Sequence, residues 1–310
     1  MIRGKSPSLL EVTNAARVVA ATGVNTMLHG ETGTGRELLA KFIHAHSSRY
    51  KQPFISVNCA SIPEGQVESL LFGSANSESK DEHKGYLESA TDGTLYLSEV
   101  EQLPLDVQAK LLLFLKSGEL FPAGSPKPIK LDVRLIVASE ADLGVEVEQG
   151  NFRQDLYYHL NVVPLKLPPL RERQGDVAIL LGHFVSLFAA RHSSRSPHFS
   201  KSALSVLKSY SWPGNVRELR NLCERLVILL PGQEVGVQNL PQEFRVEPMV
   251  EDMSDAVVKL PPEGISLAGV EESLIRQALE LAKGNQSKAA RLLGISRDTL
   301  LYRLKKFAIT

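Results

Sequence analysis

The segment Gly30-Glu31-Thr32-Gly33-Thr34-Gly35-Arg36-Glu37 has the frame of a loop that wraps phosphate. Glycines at 30, 33 and 35 permit positive φ and let the backbone approach an anion closely, and a helix starting behind them adds a favourable dipole. Nucleotide hydrolases carry lysine where this chain has Arg36. A lysine sets a compact charge between the outer phosphates. The longer, planar, forked guanidinium keeps the charge but changes the geometry, so binding can survive while transition-state positioning suffers. A second segment, Asp92-Gly93-Thr94-Leu95-Tyr96-Leu97-Ser98-Glu99, is an apolar run that delivers acidic side chains to its C-terminal edge. There an aspartate would help hold Mg²⁺ and a glutamate would polarise water. Glu99 is present, but the residue before it is the neutral Ser98, which removes a carboxylate from a hard cation's surroundings. The residues predict a nucleotide site with weakened hydrolytic chemistry.

These loops need elements to hold them. The run from Val24 to His29 reads as a buried strand and Glu37 to His46 as a helix, which places the glycines at a strand-to-helix turn. Further strand-like runs at Phe54–Asn58, Gly93–Leu97, Val133–Ala138 and Val162–Leu167 alternate with helix-like stretches, predicting an α/β unit with a parallel sheet covered on both faces. From Gly175 to Leu230 the apolar residues recur at three-to-four spacing, as in Ala203, Leu204, Leu207 and Val216, Leu219, Leu222, Leu226, which predicts a helical second lobe. Residues 243–265 are acidic and contain proline with weak periodicity, the pattern of a linker.

Composition narrows the classes. The 310 residues carry 35 Lys and Arg against 35 Asp and Glu, so no global field selects nucleic acid or membrane, and such a partner must meet a local patch. Two cysteines, Cys59 and Cys223, are too few for a disulfide framework or a metal cluster, and both read as buried thiols. No apolar run is long enough to span a bilayer, and Met1 opens no charged-then-apolar leader. A cytoplasmic chain with no membrane partner and no resident metal is expected. The start at Met1-Ile2-Arg3-Gly4 is also compatible with a domain boundary from which a regulatory domain is missing.

A local basic patch exists near the C-terminus. Asn285 to Lys306 reads as helix, tight turn, helix: Ala289 and Ala290 allow close packing, Gly294 turns the chain and Ser296 caps the second helix. Leu292, Leu293, Ile295, Leu300, Leu301 and Leu304 are the predicted core, leaving Arg297, Asp298, Thr299, Tyr302, Arg303, Lys305 and Lys306 for DNA. The start of a second helix of this kind meets base edges, so Arg297 and Thr299 are assigned to bases and Arg303, Lys305 and Lys306 to phosphate. A preceding stretch with Val270, Leu274, Ala278 and Leu281 has the spacing of a helix with one apolar face.

Taken in order, these segments resemble the bacterial enhancer-binding proteins, activators of sigma-54 RNA polymerase built from an AAA+ domain and a Fis-like DNA-binding domain. Further landmarks are Glu68-Ser69-Leu70-Leu71-Phe72-Gly73, Phe152-Arg153-Gln154-Asp155-Leu156-Tyr157-Tyr158-His159-Leu160, Leu167-Pro168-Pro169-Leu170-Arg171-Glu172-Arg173 and Trp212-Pro213-Gly214-Asn215-Val216-Arg217-Glu218-Leu219. The resemblance covers nearly the whole chain. It implies an AAA+ P-loop three-layer sandwich over residues 1–170, a helical lid over 171–242, the linker, and an all-α helix-turn-helix domain over 266–310. It also implies ATP or ADP as ligand, with Mg²⁺ as a candidate companion, bound through residues 30–37, Asn58 and Arg217. Arg153 matches the trans-acting arginine finger, Glu99 the water-polarising group and Asn58 the relay to it.

The departures bear on activity. The family carries lysine at Arg36, aspartate at Ser98, a Thr-Asn sensor at Ser139-Glu140 and a second trans-acting arginine at His159. Each change falls on groups serving Mg²⁺ or the γ-phosphate, where loss of one contact costs orders of magnitude in rate. The family's sigma-54-contacting Gly-Ala-Phe-Thr-Gly-Ala loop is replaced by the shorter, polar Ser74-Ala75-Asn76-Ser77-Glu78-Ser79-Lys80-Asp81-Glu82-His83. The expected function is a transcription regulator, homodimeric or homohexameric, that binds an imperfect palindrome in promoter DNA. It would act with RNA polymerase bearing the primary sigma factor, or block promoters, with little ATP turnover. Two alternatives stay open. One is a working ATPase that remodels sigma-54 polymerase. The other is a regulator of biofilm or motility genes responsive to cyclic di-GMP, with Arg3, Arg49, Arg134 or Arg153 as candidate contacts.

Overall fold

A computed structural model of the chain describes residues 2–63, 65–74, 84–122, 127–245, 266–282 and 284–307. The polar stretch expected to replace the sigma-54-contacting loop falls, beyond Ser74, outside the described residues, as does 246–265 of the predicted linker.

The order through the first unit is α1 (Pro7–Thr22), β1 (Thr26–His29), α2 (Arg36–Ala45), β2 (Phe54–Asn58), α3 (Val67–Phe72), α4 (Tyr86–Ser89), β3 (Thr94–Ser98) and α5 (Leu105–Ser117). The antiparallel pair β4 (Glu119–Leu120) and β5 (Ile129–Lys130) follows, then β6 (Arg134–Ser139), α6 (Leu143–Glu148), α7 (Gln154–Leu160) and β7 (Pro164–Lys166). The main sheet has the order β2-β3-β6-β1-β7, parallel at every pairing. Its strands are apolar on both faces. Met27, Leu95, Leu97, Leu135 and Val137 pack with α3, α5 and α7, while Leu28, Tyr96, Ile136 and Ala138 pack with α1 and α2. The expected three-layer α/β sandwich is therefore present. Cys59 lies in the first of these cores and Cys223 in the lid, and burial pushes each thiol up to about 12.

The lid follows as α8 (Asp176–Arg191), β8 (His198–Phe199), α9 (Lys201–Ser209), α10 (Asn215–Leu229), β9 (Glu234–Val235) and α11 (Gln242–Arg245). Helices α8, α9 and α10 bury their apolar stripes around Trp212, whose indole N–H donates to the Leu207 carbonyl at 2.9 Å. The predicted linker start needs correction. Phe244 is buried against Tyr210 and Trp212, with ring centroids at 4.4 and 5.3 Å, so residues 243–245 pack with the lid because this ring completes its core.

Helices α12 (Leu267–Leu281), α13 (Gln286–Leu292) and α14 (Arg297–Lys306) form a separate unit around Ile275, Ala278, Ala289, Ala290, Leu300 and Leu304. Gly294 has φ +66° and makes the turn expected of it, and Ser296 Oγ accepts from Thr299 N at 3.1 Å as the cap of α14. Leu292 does not join this core. It is 55% exposed, because Leu293 and Ile295 fill the space between α13 and α14 and turn their neighbour outward. Leu301 is half-buried. Among the described residues no helix is long and apolar enough to cross a membrane.

Candidate nucleotide site and nucleic-acid interface

The phosphate-binding loop leaves the carboxyl end of β1 and enters α2, with β1 between the central strand β6 and the edge strand β7. Gly33 and Gly35 take φ of +81° and +104°, backbone conformations that residues with a Cβ rarely adopt. Gly33 is also sterically committed: a Cβ there would stand 2.2 Å from the Gly214 carbonyl oxygen of the lid. Thr34 hydroxyl donates to the Glu31 carbonyl at 2.7 Å and closes the turn.

The lid is fastened to this loop. Val216 N–H donates to Gly33 O at 3.0 Å. Arg171 grips the Glu31 carboxylate with two bonds of 2.8 and 2.5 Å, and the Asn215 amide donates to Glu31 Oε2 at 3.1 Å and to Thr32 O at 3.0 Å. Asn215 is fully buried at φ +51°, and its Oδ1 accepts from Leu170 N at 2.7 Å, so one side chain joins loop, connector and lid helix. The Arg171 and Asn215 hydrogen bonds hold the Glu31 carboxyl at about 2. A carboxylate depressed in the folded state contributes its stabilisation above its unfolded value near 4.5 and loses it as pH falls toward 2. Both groups are partly exposed, so the contribution is small. Between pH 5 and 9 this fastening is expected to be pH-independent, which thermal melts across that range would check.

Two hollows flank the loop. The first, about 230 Å³, is mainly apolar and is lined by Ile2, Leu9, Leu38, Leu180 and Phe184 beside Thr34 and Gly35, a chemistry suited to an apolar or aromatic group. The second, about 360 Å³, is a polar cleft between the loop, the carboxyl ends of β2 and β3, and α10. Arg36, Glu37, Asn58, Ser98, Glu99 and Arg217 line it with Gly33 and Gly35, whereas Thr34 lines the first hollow and Gly30, Glu31 and Thr32 line neither. Arg36 is 9% exposed, and among the described residues its Nη1 has no hydrogen-bond partner. A buried guanidinium with an open donor, beside a glycine cradle, fits a phosphate group. Glu37 pairs with Lys41 at 2.7 Å, and Asn58 Oδ1 accepts from Ala60 N at 2.9 Å. Glu99 sits at φ +55°, a strained value for a non-glycine residue at a strand end. Arg153 does not line either hollow; it pairs with Asp155 at 2.9 Å on an exposed helix start.

Sequence reasoning missed the wall of the apolar hollow. Its floor rests on Asp176, fully buried, whose carboxylate accepts from Lys5 N at 2.6 Å, Ser6 N at 3.1 Å, Ser6 Oγ at 3.1 Å and Arg173 Nε at 3.0 Å. Arg173 also donates to Arg3 O at 2.9 Å, and this strap carries Ile2 and Arg3 into the pocket. The only local signal was Arg173 and Asp176 three residues apart. Two arginines offered to a cyclic dinucleotide are committed elsewhere: Arg134 is 1% exposed and donates to the Val19, Ala20 and Val24 carbonyls, and Arg49 holds Asp132.

In the C-terminal unit Arg297, Asp298, Tyr302, Lys305 and Lys306 are exposed on α14. Arg303 is instead ion-paired with Glu271 of α12, which draws it from the expected phosphate-binding row. Thr299 is half-buried, and its hydroxyl shares a 2.7 Å hydrogen bond with Ser296 as part of the cap, leaving it less available to a base. On α12, Ala278 turns inward with Ile275, while Leu267, Leu274 and Leu281 are 81%, 49% and 72% exposed. The expected apolar face is thus split, because four-residue spacing drifts round the helix and carries Ala278 to the core side.

Comparison with known proteins places these features. The sigma-54 interaction domain matches residues 2–166, the AAA+ ATPase lid domain 171–256, and the Fis-family bacterial regulatory protein domain 266–307. The chain belongs to the sigma-54 interaction domain family. It is similar to the regulatory protein AtoC of Escherichia coli K12, 38% identical over 98% of this chain and 67% of that protein. It is also similar to the transcriptional regulatory protein ZraR of the same organism, 39% identical over 98% and 68%. Among solved structures, NtrX from Brucella abortus in complex with ADP superposes with a TM-score of 0.74 at 32% identity, covering 100% of this chain and 69% of that one. An NtrX structure in complex with ATP gives the same TM-score and identity over 99% and 69%. As a family member with a Fis-type domain, the chain is a transcription regulator that binds DNA, and its AAA+ body is of the nucleotide-binding kind.

Proposed function

We propose that this regulator holds ATP or ADP on an AAA+ body that turns ATP over slowly or not at all and works as an assembly or sensing platform. The observation that carries the reading is the pairing of a buried, unpartnered Arg36 Nη1 with a neutral Ser98 in one cleft. Binding groups are in place. The N–H groups from Gly33 to Arg36 would cradle an inner phosphate, Arg36 and Arg217 would offset its charge, and the apolar hollow would take the base. Ser98 hydroxyl points to the Val57 carbonyl at 3.5 Å and brings no charge to a cation. The test measures ATP binding and hydrolysis side by side, with Mg²⁺ and promoter DNA, at concentrations that permit assembly. Tight binding with turnover no greater than that of Glu99→Gln supports the platform. Clear Glu99-dependent turnover rejects it. That outcome favours the second reading, a motor that remodels sigma-54 polymerase, for which the family match and the shared cleft of Asn58, Glu99 and Arg217 speak. If Arg36 and Ser98 set the rate, the double variant R36K/S98D is expected to turn ATP over at least about tenfold faster than wild type. An unchanged rate in a coupled ATPase assay counts against that cause.

For DNA we propose a homodimer or homohexamer on an imperfect palindrome, with RNA polymerase carrying the primary sigma factor as the downstream partner. Leu267, Leu274 and Leu281, seven residues apart on α12, form an uncovered row suited to pairing two copies. The family match speaks for sigma-54 as the sigma factor, whereas the sequence between Gly73 and Lys84, which lacks the Gly-Ala-Phe-Thr-Gly-Ala pattern, supports independence from it. Arg297→Ala is expected to weaken specific binding by about 1–3 kcal/mol and relax base preference. Lys305→Ala should weaken all sequences alike and lower the salt slope by about one. Binding isotherms on specific and random duplexes at several salt concentrations separate the two, and equal effects of both variants on both duplexes would sink the assignment.

A further inference from the structure

The polar cleft beside the phosphate loop holds one more guanidinium than the sequence assigned to it. Arg220, three residues after Arg217 on α10, lines it too, and residues so spaced share one face of a helix. Three arginines thus line a cleft whose carboxylates are Glu37 and Glu99. Among the described residues none of Arg36, Arg217 and Arg220 makes an ion pair. Arg36 is buried with Nη1 open. Arg220 rests on a ring instead of a carboxylate: its Cζ lies 5.8 Å from the centroid of Phe188 on α8, an attraction that holds the group without neutralising it. Arg217 adds its charge to the first turn of α10, the positive end of that helix, where a cation is unfavourable until an anion joins it.

The oxygens of the cleft are already committed. Ser98 Oγ is turned to the Val57 carbonyl, Asn58 Oδ1 accepts from Ala60 N, and the Glu37 carboxylate pairs with Lys41. Glu99 is the one carboxylate of the cleft without an ion pair among the described residues. A hard divalent cation is held on a nucleotide by protein carboxylates and phosphate oxygens together. Three unpaired guanidiniums beside a single open carboxylate form a donor set for phosphate, and this set does not fit a resident Mg²⁺.

Resting on the reading of this cleft as a nucleotide site, we infer that Arg36, Arg217 and Arg220 supply the charge a divalent cation would otherwise bring, so that the chain binds nucleotide without Mg²⁺ and Arg220 is a phosphate-binding residue. Guanidinium forks pair with phosphate through two hydrogen bonds and keep their charge at any working pH. A cation on the same phosphate oxygens would compete with them.

The experiment titrates the whole chain with ADP by isothermal calorimetry, in excess EDTA and in Mg²⁺, for wild type, Arg220→Gln and Arg220→Ala. Wild type should bind ADP in EDTA within about threefold of its affinity in Mg²⁺, or more tightly. Both variants should bind at least about fivefold more weakly than wild type in EDTA. Arg220 is exposed, and Arg220→Gln keeps part of the stem beside Phe188, so the variants are expected to fold, which melting curves would show. A wild-type affinity that falls further in EDTA overturns the cation-free site, and a smaller loss in either variant overturns the role of Arg220; both results leave the nucleotide site standing. No ADP binding in either buffer overturns the inference together with that reading.

Discussion

Replacing Asp176 with alanine is expected to lower the unfolding free energy of the AAA+ body by about 3–5 kcal/mol, the cost of breaking a buried ion pair from one side. Four donors converge on this carboxylate, and Arg173, only 4% exposed, would be left with an uncompensated charge. The loss should exceed that of an exposed pair such as Lys41–Glu37, worth about 0.5 kcal/mol or less. Because Asp176 also anchors the strap that brings Ile2 and Arg3 to the base pocket, the variant should bind adenine nucleotide more weakly than a variant equally destabilised elsewhere. Urea unfolding together with nucleotide titration at a temperature where the variant is folded checks both parts. A loss under about 1 kcal/mol would mean that the strap is not held through this carboxylate.

The second large effect is expected at Gly33. A methyl group there meets the Gly214 carbonyl at 2.2 Å, and φ of +81° is itself unfavourable for alanine by about 1–2 kcal/mol. The loop cannot relax without breaking the Val216 N–H bond to Gly33 O or moving the lid. Gly33→Ala should therefore raise the nucleotide Kd by about a hundredfold, from the strain and the lost cradle together. Fluorescent-nucleotide binding reads this directly. Wild-type affinity in the variant would show that the lid does not rest on the loop when ligand is bound.

Much of this architecture was legible because it is local. The apolar strand runs, the glycines of the loop and the helical periodicity of the lid are properties of short windows, and β1, β2 and the cap at Ser296 fall where those windows place them. Other features depend on residues far apart in sequence. Nothing near Glu31 announces Arg171 or Asn215, and nothing near Lys5 announces Asp176. Glu140 read from sequence as a lost sensor group; its contact with Thr32 required the sheet order that sets β6 beside β1. Neighbouring leucines were a different difficulty. With Leu292 and Leu293 adjacent, spacing alone could not decide which faced inward, and the short helix α13 turned Leu292 out. Phe244 was hidden by charged neighbours that made its segment resemble a linker.

The strap at residues 2–6 sets an order of events during synthesis. Its binding site on α8 lies about 170 residues later, so this segment must wait for the start of the lid before the apolar hollow has a wall. Contacts this distant in sequence form late because the intervening chain must be closed first. The wall of that hollow therefore closes only after the first lid helix has emerged.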